Sequence, residues 1–170
     1  ATMELYQEAR ETAEELAEEL GEAVHIGVLE ETETVYLNKI ESFYPVRLVS
    51  SIGKKTPSYC SGCGKVILAY KKEKEKEDTI HQIETEGFIS YASNTVQTSE
   101  QLREDLIEIK EQGYAVCVNE LSEGVTSIAA PIFDHTGEII AGISVTGPNQ
   151  RLSFEQAISS TVKAGQIISQ

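Results

Sequence analysis

The sequence has no apolar run close to the roughly 20 residues needed to cross a bilayer. Its N-terminus continues from Ala1 into acidic residues and lacks the basic and then apolar stretch of a secretory signal. Basic side chains are also few, with 14 Lys and Arg against 28 Asp and Glu and a net charge of −14. Phosphate contacts require a cationic surface, so this chain should repel nucleic acid. The sequence therefore predicts a protein that neither spans a membrane nor touches DNA through these residues.

Cysteine is also scarce, because only Cys60, Cys63 and Cys117 occur in 170 residues. An odd number argues against a disulfide framework, and a reducing cytoplasm is the expected location. Hydrophobic residues make up 40% and charged residues 25%, which is ordinary for a globular protein and indicates neither disorder nor a coiled-coil rod. The length predicts one domain that covers residues 1–170.

Hydrophobic periodicity predicts the order of the elements. Apolar residues at steps of three and four predict a helix over residues 3–20, which Gly21 ends. A second helix should begin at Ser61 or Gly62, a third at the capping-box pattern of residues 98–101, and a last one should span about 153–168. Residues 53–57 should break regular structure. Runs rich in β-branched residues predict strands at 24–29, 34–40, about 46–50, 114–118, 126–133 and 139–146.

Most of these predicted strands follow one another through short turns. This order favours an antiparallel sheet, whereas a doubly wound nucleotide-binding fold requires a regular alternation of strands and helices. The predicted fold class is therefore α+β, with helices packed against an antiparallel sheet.

Two parts of the chain resemble the IclR family of bacterial transcriptional regulators. The C-terminal part comprises residues 113–120, 123–125, 128–134, Gly137 and 143–148, and the other part comprises residues 53–57 and 64–69. The resemblance extends over nearly the whole chain from Leu5 onward. It implies a GAF-like effector-binding domain, in which helices flank a curved antiparallel sheet. It also implies a winged helix-turn-helix DNA-binding module on the N-terminal side, which this chain does not contain.

The resemblance further implies the partners of the domain. The effector would be a small carboxylate metabolite, such as a sugar acid or keto acid, and the protein would assemble as a homodimer or homotetramer. Only the absent N-terminal module would bind DNA, and we expect that module upstream because Met3 is not the first residue. The effector would bias that module through the helix over residues 3–20, and the domain itself is expected to catalyse nothing.

One turn carries the predicted site. Residues 61–64 should open a helix with free backbone N–H groups, and such an end attracts a carboxylate. In the family, the positions that match Gly62 and Cys63 supply main-chain contacts, and those that match Cys117 and Ser127 supply side chains. The family often has His, Asp and Cys at the positions of Tyr59, Cys117 and Ser127, so its hydrogen bonds cannot be transferred. The predicted effector-binding residues are Tyr59, Ser61, Gly62, Cys63, Gly64, Cys117 and Ser127.

The same residues allow other interpretations. Without the resemblance, the turn is a tight loop into an ordinary helix with a solvated Lys65. Cys60, Cys63 and Cys117 could together bind zinc, or could pack as small hydrophobic residues. Cys60 and Cys63 could instead form the redox couple of a GAF-like thiol reductase. A third hypothesis is an oligomerisation domain that binds no ligand.

Three further groups of polar residues are candidates for lesser roles. Glu120 and Glu123 are expected at the surface of a loop, although either could close over a ligand. Tyr36, Tyr59 and Tyr114 could offer hydroxyl groups, but aromatic residues in strands usually belong to the core. His25, His81 and His135 do not have the spacing of metal ligands, and His25 is expected in a strand with its ring nitrogen satisfied.

Overall fold

The computed structural model describes residues 2–42 and 55–169. The helices are α1 (Thr2–Leu20), α2 (Gly62–Tyr70), α3 (Glu73–Glu86), α4 (Ser99–Gln112) and α5 (Phe154–Ile168). The strands are β1 (Ala23–Glu30), β2 (Glu33–Ile40), β3 (Lys55–Pro57), β4 (Ala115–Val118), β5 (Val125–Phe133) and β6 (Ile139–Pro148). Within these ranges, no helix combines the length and the apolar character needed to cross a membrane.

The strands form one antiparallel sheet in the order β3-β2-β1-β6-β5-β4. Hairpins join β1 to β2 and β5 to β6, while the central pairing of β1 with β6 joins strands that are far apart in the sequence. The predicted α+β class, an antiparallel sheet flanked by helices, is confirmed.

Local signals set the helix ends as the sequence predicts. Thr98 Oγ1 accepts a hydrogen bond from the Gln101 N–H at 3.1 Å, and the Gln101 side chain reaches back to the Gln97 N–H at 2.9 Å. Gly21 and Gly113 follow α1 and α4 with φ of 73° and 92°, a conformation that glycine adopts without a steric cost. The Thr98 cap and the Gly21 stop are therefore confirmed, although the Gln101 side chain bonds the N–H of Gln97 rather than that of Thr98.

One predicted break in the structure is wrong. Lys55–Pro57 forms the short strand β3, in which Thr56 lies opposite Thr34 of β2. Pro57 is tolerated there because it lies at the end of an edge strand, where its missing N–H removes no central ladder bond. The strand predicted near residues 46–50 lies outside the described residues.

Different layers cover the two faces of the sheet. On one face, α1 and α5 enclose an apolar cluster that includes Leu16, Ile128 and Ile143. On the other face α2 lies directly on the sheet, with α4 packed against it. This close approach depends on Gly142, where a Cβ atom would lie 3.1 Å from the Cys63 Cα. The first turn of α2 is thus held over the middle of the sheet.

Candidate functional site

The start of α2 presents free backbone donors to the sheet. Ser61 precedes the helix in an extended conformation, and its Oγ accepts a hydrogen bond from the Gly64 N–H at 3.2 Å. The N–H groups of Gly62 and Cys63 come before the first possible intrahelical bond and so have no acceptor within the helix. A Cβ atom at Gly62 would lie 2.8 Å from the Ser127 Oγ, so glycine allows the helix to begin against β5.

A cavity of about 40 Å³ lies at this helix end. Its volume suits a few water molecules. Its lining combines hydroxyl, thiol and apolar side chains from the sheet, the start of α2 and the connection between β4 and β5. The lining residues are Tyr36, Cys60, Ser61, Gly62, Cys117, Leu121, Ser122, Val125, Ser127 and Thr146. None of these residues carries a formal charge at neutral pH.

Hydroxyl groups in the cavity form two short networks. The Tyr36 hydroxyl lies 3.2 Å from the Ser61 Oγ and 3.0 Å from the Thr56 Oγ1. On the neighbouring strands, Thr146 Oγ1 donates to Ser127 Oγ at 3.5 Å. Burial raises the pKa of Tyr36 to about 12, so its hydroxyl stays protonated. The cavity therefore offers hydroxyl groups that can donate and accept hydrogen bonds.

Four of the seven predicted effector-binding residues line this cavity, namely Ser61, Gly62, Cys117 and Ser127. The other three, Tyr59, Cys63 and Gly64, do not line it.

Cys63 and Gly64 face the strands beneath α2. The Cys63 thiol is hydrogen-bonded to Ser144, and its Cβ packs against the sheet where Gly27 and Gly142 leave room. A Cβ atom at Gly64 would clash with Thr34 and with the Ser58 backbone.

Tyr59 lies in the hydrophobic cluster beneath α3 and α4. Its ring centroid is 5.0 Å from that of Phe88, and its hydroxyl accepts a hydrogen bond from the Ile89 N–H at 2.9 Å. Tyr59 is close to the predicted turn in the sequence, but its hydroxyl does not reach the cavity.

The cysteines do not form a metal-binding group in the described part of the chain. All three are free and buried, and no cluster of three or more His, Cys, Asp and Glu side chains in residues 2–42 and 55–169 is arranged to hold a metal. Cys60 and Cys117 line the cavity, but Cys63 is directed toward Ser144. The zinc hypothesis therefore receives no support from these residues.

The thiols also lack the activation that redox chemistry requires. Burial raises the pKa of Cys60 to about 12 and that of Cys63 to about 11, and it raises the pKa of Cys117 as well. A reactive couple needs a thiolate, which positive neighbours and an accessible helix end stabilise. Here the protonated thiols are small, weakly polar parts of the core and of the cavity wall.

The interpretation of Lys65 as a solvated side chain is wrong. Lys65 is 2% exposed, and its Nζ donates to Asp105 Oδ2 at 2.7 Å and to Glu120 Oε1 at 2.6 Å. Burial alone would lower the pKa of this lysine, but the Glu120 and Asp105 carboxylates raise the pKa above its ordinary value. Glu120 is correspondingly 9% exposed rather than at the surface. The sequence contained a signal for this burial, because Lys65 directly precedes the apolar residues 66–69. A lysine that enters the core with such a run is expected to pair with an acidic side chain.

The same ion pair borders a second cavity of about 200 Å³. Asp105, Glu108 and Glu120 supply three carboxylates to its lining against one ammonium group from Lys65. This excess of negative charge would repel an anionic ligand. Of the two cavities, the small uncharged one is therefore the better site for a carboxylate.

His25 differs from its predicted state. It lies in β1 as expected, but its buried Nε2 has no hydrogen-bond partner among residues 2–42 and 55–169. Its ring centroid is 5.0 Å from that of Tyr36, and burial followed by the charge of Lys39 lowers its pKa to about 4. A neutral imidazole thus lies beside Tyr36, which lines the cavity.

Comparison with known proteins decides the family. The family described as "Bacterial transcriptional regulator IclR C-terminal" matches residues 1–169. The chain belongs to the IclR family. It is 36% identical over 135 residues to the HTH-type transcriptional regulator KdgR of Escherichia coli, which covers 79% of this chain and 50% of KdgR. It is also 34% identical over 154 residues to KipR of Bacillus subtilis, which covers 91% of this chain and 60% of KipR.

Solved structures support the same assignment. The C-terminal domain of E. coli KdgR superposes with a TM-score of 0.84 at 31% identity, covering 97% of this chain and 96% of that one. An IclR homolog from Microbacterium hydrocarbonoxydans, complexed with 4-hydroxybenzoate, has a TM-score of 0.85 at 23% identity and shares the fold. It covers 98% of this chain and 67% of its own.

These findings identify an IclR effector-binding domain. The curated IclR relatives are transcriptional regulators and not enzymes, which agrees with the expectation that the domain catalyses nothing. The chain spans about half the length of the curated relatives it matches, from 42% to 60% for the first four.

Sequence reasoning missed part of the cavity of this IclR domain. Thr146 lies within the stretch that resembles the family, and alternation along β6 places it on the same face as Ser144, opposite Ile143 and Val145. That alternation was a usable signal. Leu121, Ser122 and Val125 come from the connection between β4 and β5, whose position depends on tertiary contacts that no local pattern encodes.

Proposed function

We propose that this domain senses a small organic acid, and that the acid binds in the cavity at the start of α2. The observation that carries the proposal is the position of Gly62, which lines the cavity and provides the first N–H of the helix. A carboxylate at that point would gain backbone donors and the positive end of the helix dipole. None of the lining residues that the structure describes carries a carboxylate to oppose it.

The side chains that line the cavity favour an acid with further polar groups. Five of them carry hydroxyls, namely Tyr36, Ser61, Ser122, Ser127 and Thr146. A keto acid or a sugar acid would satisfy more of these hydroxyl groups than a purely apolar acid. The IclR homolog complexed with 4-hydroxybenzoate supports the wider class, because that compound is also a carboxylic acid with a hydroxyl group.

The domain would act within a longer regulator. In this proposal a winged helix-turn-helix module precedes α1 and binds DNA in the cytoplasm, and the regulator is a homodimer or homotetramer. The acid would favour one arrangement of the domain, and that preference would reach the module through α1, which packs against α5 and β1. The effect on DNA binding can be at most as large, in free energy, as the difference in affinity of the acid for the two arrangements.

A thermal-shift screen tests the binding proposal. The domain is melted with keto acids, sugar acids and aromatic acids, each paired with its primary amide as a control without negative charge. An acid at about one hundred times its Kd should add about 2.7 kcal/mol of stability and raise the Tm by several degrees. Its amide should give little or no shift. Equal shifts for acid and amide, or no shift with any acid, would contradict the proposal.

A further inference from the structure

The connection between β4 and β5 forms one wall of the cavity. We call residues 119–124 the β4–β5 loop, and Leu121 and Ser122 of this loop line the cavity. The cavity of about 40 Å³ is far smaller than the roughly 300–1,000 Å³ of typical ligand pockets. An organic acid therefore needs the cavity to widen, and a loop wall moves more readily than the helix and strands that form the rest.

The base of the β4–β5 loop is fixed to the sheet. The Asn119 N–H donates to the Val125 carbonyl at 3.0 Å, and the Gly124 N–H donates to Asn119 Oδ1 at 2.8 Å. Both end residues have positive φ, 57° at Asn119 and 82° at Gly124, so the chain turns sharply at these two points. These two amides are therefore protected from exchange as long as the residues between Asn119 and Gly124 keep this closed form.

Those middle residues are held by two kinds of contact. The first kind joins them to residues 93–95, which precede α4. Glu123 accepts a hydrogen bond from the Ser93 N–H at 2.8 Å, and Thr95 Oγ1 donates to the Glu120 carbonyl at 2.5 Å. The second kind is the ion pair of Glu120 with the buried Lys65. Lys65 belongs to α2, the helix whose first turn lies at the cavity, so this pair joins the loop wall directly to the helix wall.

Cys117 extends this connection to the cavity itself. Its side chain lines the cavity, and its thiol is hydrogen-bonded to the Glu120 carboxylate. Lys65 lies one helical turn after Gly62, the residue that we propose to contact the acid. Both walls of the cavity are therefore linked to the same buried pair.

We propose that the Lys65–Glu120 ion pair is a latch that holds the β4–β5 loop closed over the cavity, and so sets how readily an organic acid enters and leaves. The inference rests on the proposed function for its ligand, but the latch is a property of the domain alone. Lys65 and Glu120 are positioning residues in this account, since neither lines the cavity.

The two carboxylate partners of Lys65 provide a matched pair of variants. Glu120→Gln removes the charge on the loop, and Asp105→Asn removes the charge on α4. Each variant leaves Lys65 with one carboxylate, so neither leaves an unpaired ammonium group in the interior. Both substitutions also preserve side-chain size. Only Glu120→Gln weakens the link between α2 and the loop.

Hydrogen exchange of backbone amides measures the latch without a ligand. In Glu120→Gln the amides of residues 119–124 should exchange about tenfold faster than in the original domain, while α2 and α4 keep their protection. In Asp105→Asn the loop should exchange at its original rate. Equal acceleration of the loop in both variants, or none in Glu120→Gln, would overturn the latch.

Alkylation by iodoacetamide gives a second readout at the cavity. Cys60 lines the cavity and Cys63 does not, so the ratio of their rates separates local opening from global unfolding. The ratio should rise about tenfold in Glu120→Gln relative to Asp105→Asn, and equal ratios would overturn the proposal. Neither readout uses an effector. If the thermal-shift screen finds no ligand, the proposed function is refuted. The exchange and alkylation measurements still decide whether the latch exists.

Discussion

The two faces of the sheet are built from the same strands but differ in chemistry. Along β6, Ala141, Ile143 and Val145 face the apolar layer of α1 and α5. The alternate residues, Ser144 and Thr146, face α2. β5 repeats the pattern, with Ile128 in the apolar layer and Ser127 in the cavity.

This difference separates stability from binding. The face toward α1 and α5 buries branched aliphatic side chains, which supply hydrophobic free energy and need no partners. The face toward α2 buries His25, Lys65 and several hydroxyl groups, each of which loses hydration on folding. These polar groups add little stability beside the apolar cluster that α2 and α4 also bury on this face, so we attribute them to the cavity and to the contacts that shape it.

The largest expected effect comes from the apolar face. Ile143 is 0% exposed, and Ile143→Ala should lower the free energy of unfolding by about 4 kcal/mol through lost burial and a residual cavity. Ser144→Ala, one residue away on the opposite face, removes one hydrogen bond and should cost about 1 kcal/mol. Urea denaturation of both variants measures the difference. Equal costs would mean that the two faces do not differ as described.

The buried lysine should give the next largest effect. Lys65→Met leaves Glu120 buried without its cation, and the free energy of unfolding should fall by about 3 kcal/mol. Lys72→Met is the matched control, because the Lys72 side chain is 75% exposed and its ion pair with Glu138 is solvated. Chemical denaturation should show almost no change for the control. A small effect of Lys65→Met would show that the pair is not important for folding.

The pH dependence of stability tests the state of His25. Its pKa is lowered by burial to about 4 in the folded domain, against about 6.5 in the unfolded chain. The unfolded chain therefore binds more protons between these values, so stability is complete above pH 6.5 and falls as the pH drops toward 4. Between pH 7 and pH 5 the loss should be about 2 kcal/mol.

Denaturation midpoints at these two pH values measure that loss. His25→Gln should abolish the part due to His25, and the exposed His81→Gln should leave the pH dependence unchanged. An unaltered slope in His25→Gln would mean that the imidazole is not held neutral by the fold.

The smallest expected effect on stability comes from the helix caps Ser61 and Thr98, which should differ in their effect on binding. Ser61→Ala and Thr98→Ala each remove a side-chain acceptor for a helix N–H, and each should cost about 1 kcal/mol of stability. Ser61 lines the cavity and Thr98 caps the distant α4, so only Ser61→Ala should weaken binding of an acid found in the screen. Thermal melts and calorimetric titration of both variants provide the comparison. Equal binding losses would place the acid elsewhere.

Local rules explain what the sequence predicted correctly. Runs rich in β-branched residues located five of the six strands in the described residues, Thr98 and Gln101 marked the start of α4, and the glycines around Cys63 located the start of α2. Each of these features depends on residues close together in the chain. The antiparallel class predicts the pairing of consecutive strands. It does not predict the β1–β6 pairing, because that pairing joins segments that are distant in the sequence.

Tertiary packing explains what the sequence did not predict. Lys65 is buried because carboxylates from α4 and the β4–β5 loop meet it, and neither is nearby in sequence. Tyr59 is turned toward Phe88 by the packing of residues 87–92. The small volume of the cavity depends on the loop that closes it. These properties require the positions of segments that only the assembled fold brings together.

Protection of the cysteines tests the central claim most directly. Iodoacetamide labelling of the three thiols is followed by peptide mass spectrometry, with and without the acid that gives the largest thermal shift. Cys60 and Cys117 line the cavity, so the acid should slow their labelling more than that of Cys63, which reports global unfolding. Equal slowing of all three thiols by an acid that binds would contradict the account, because the acid would then stabilise the domain from another site.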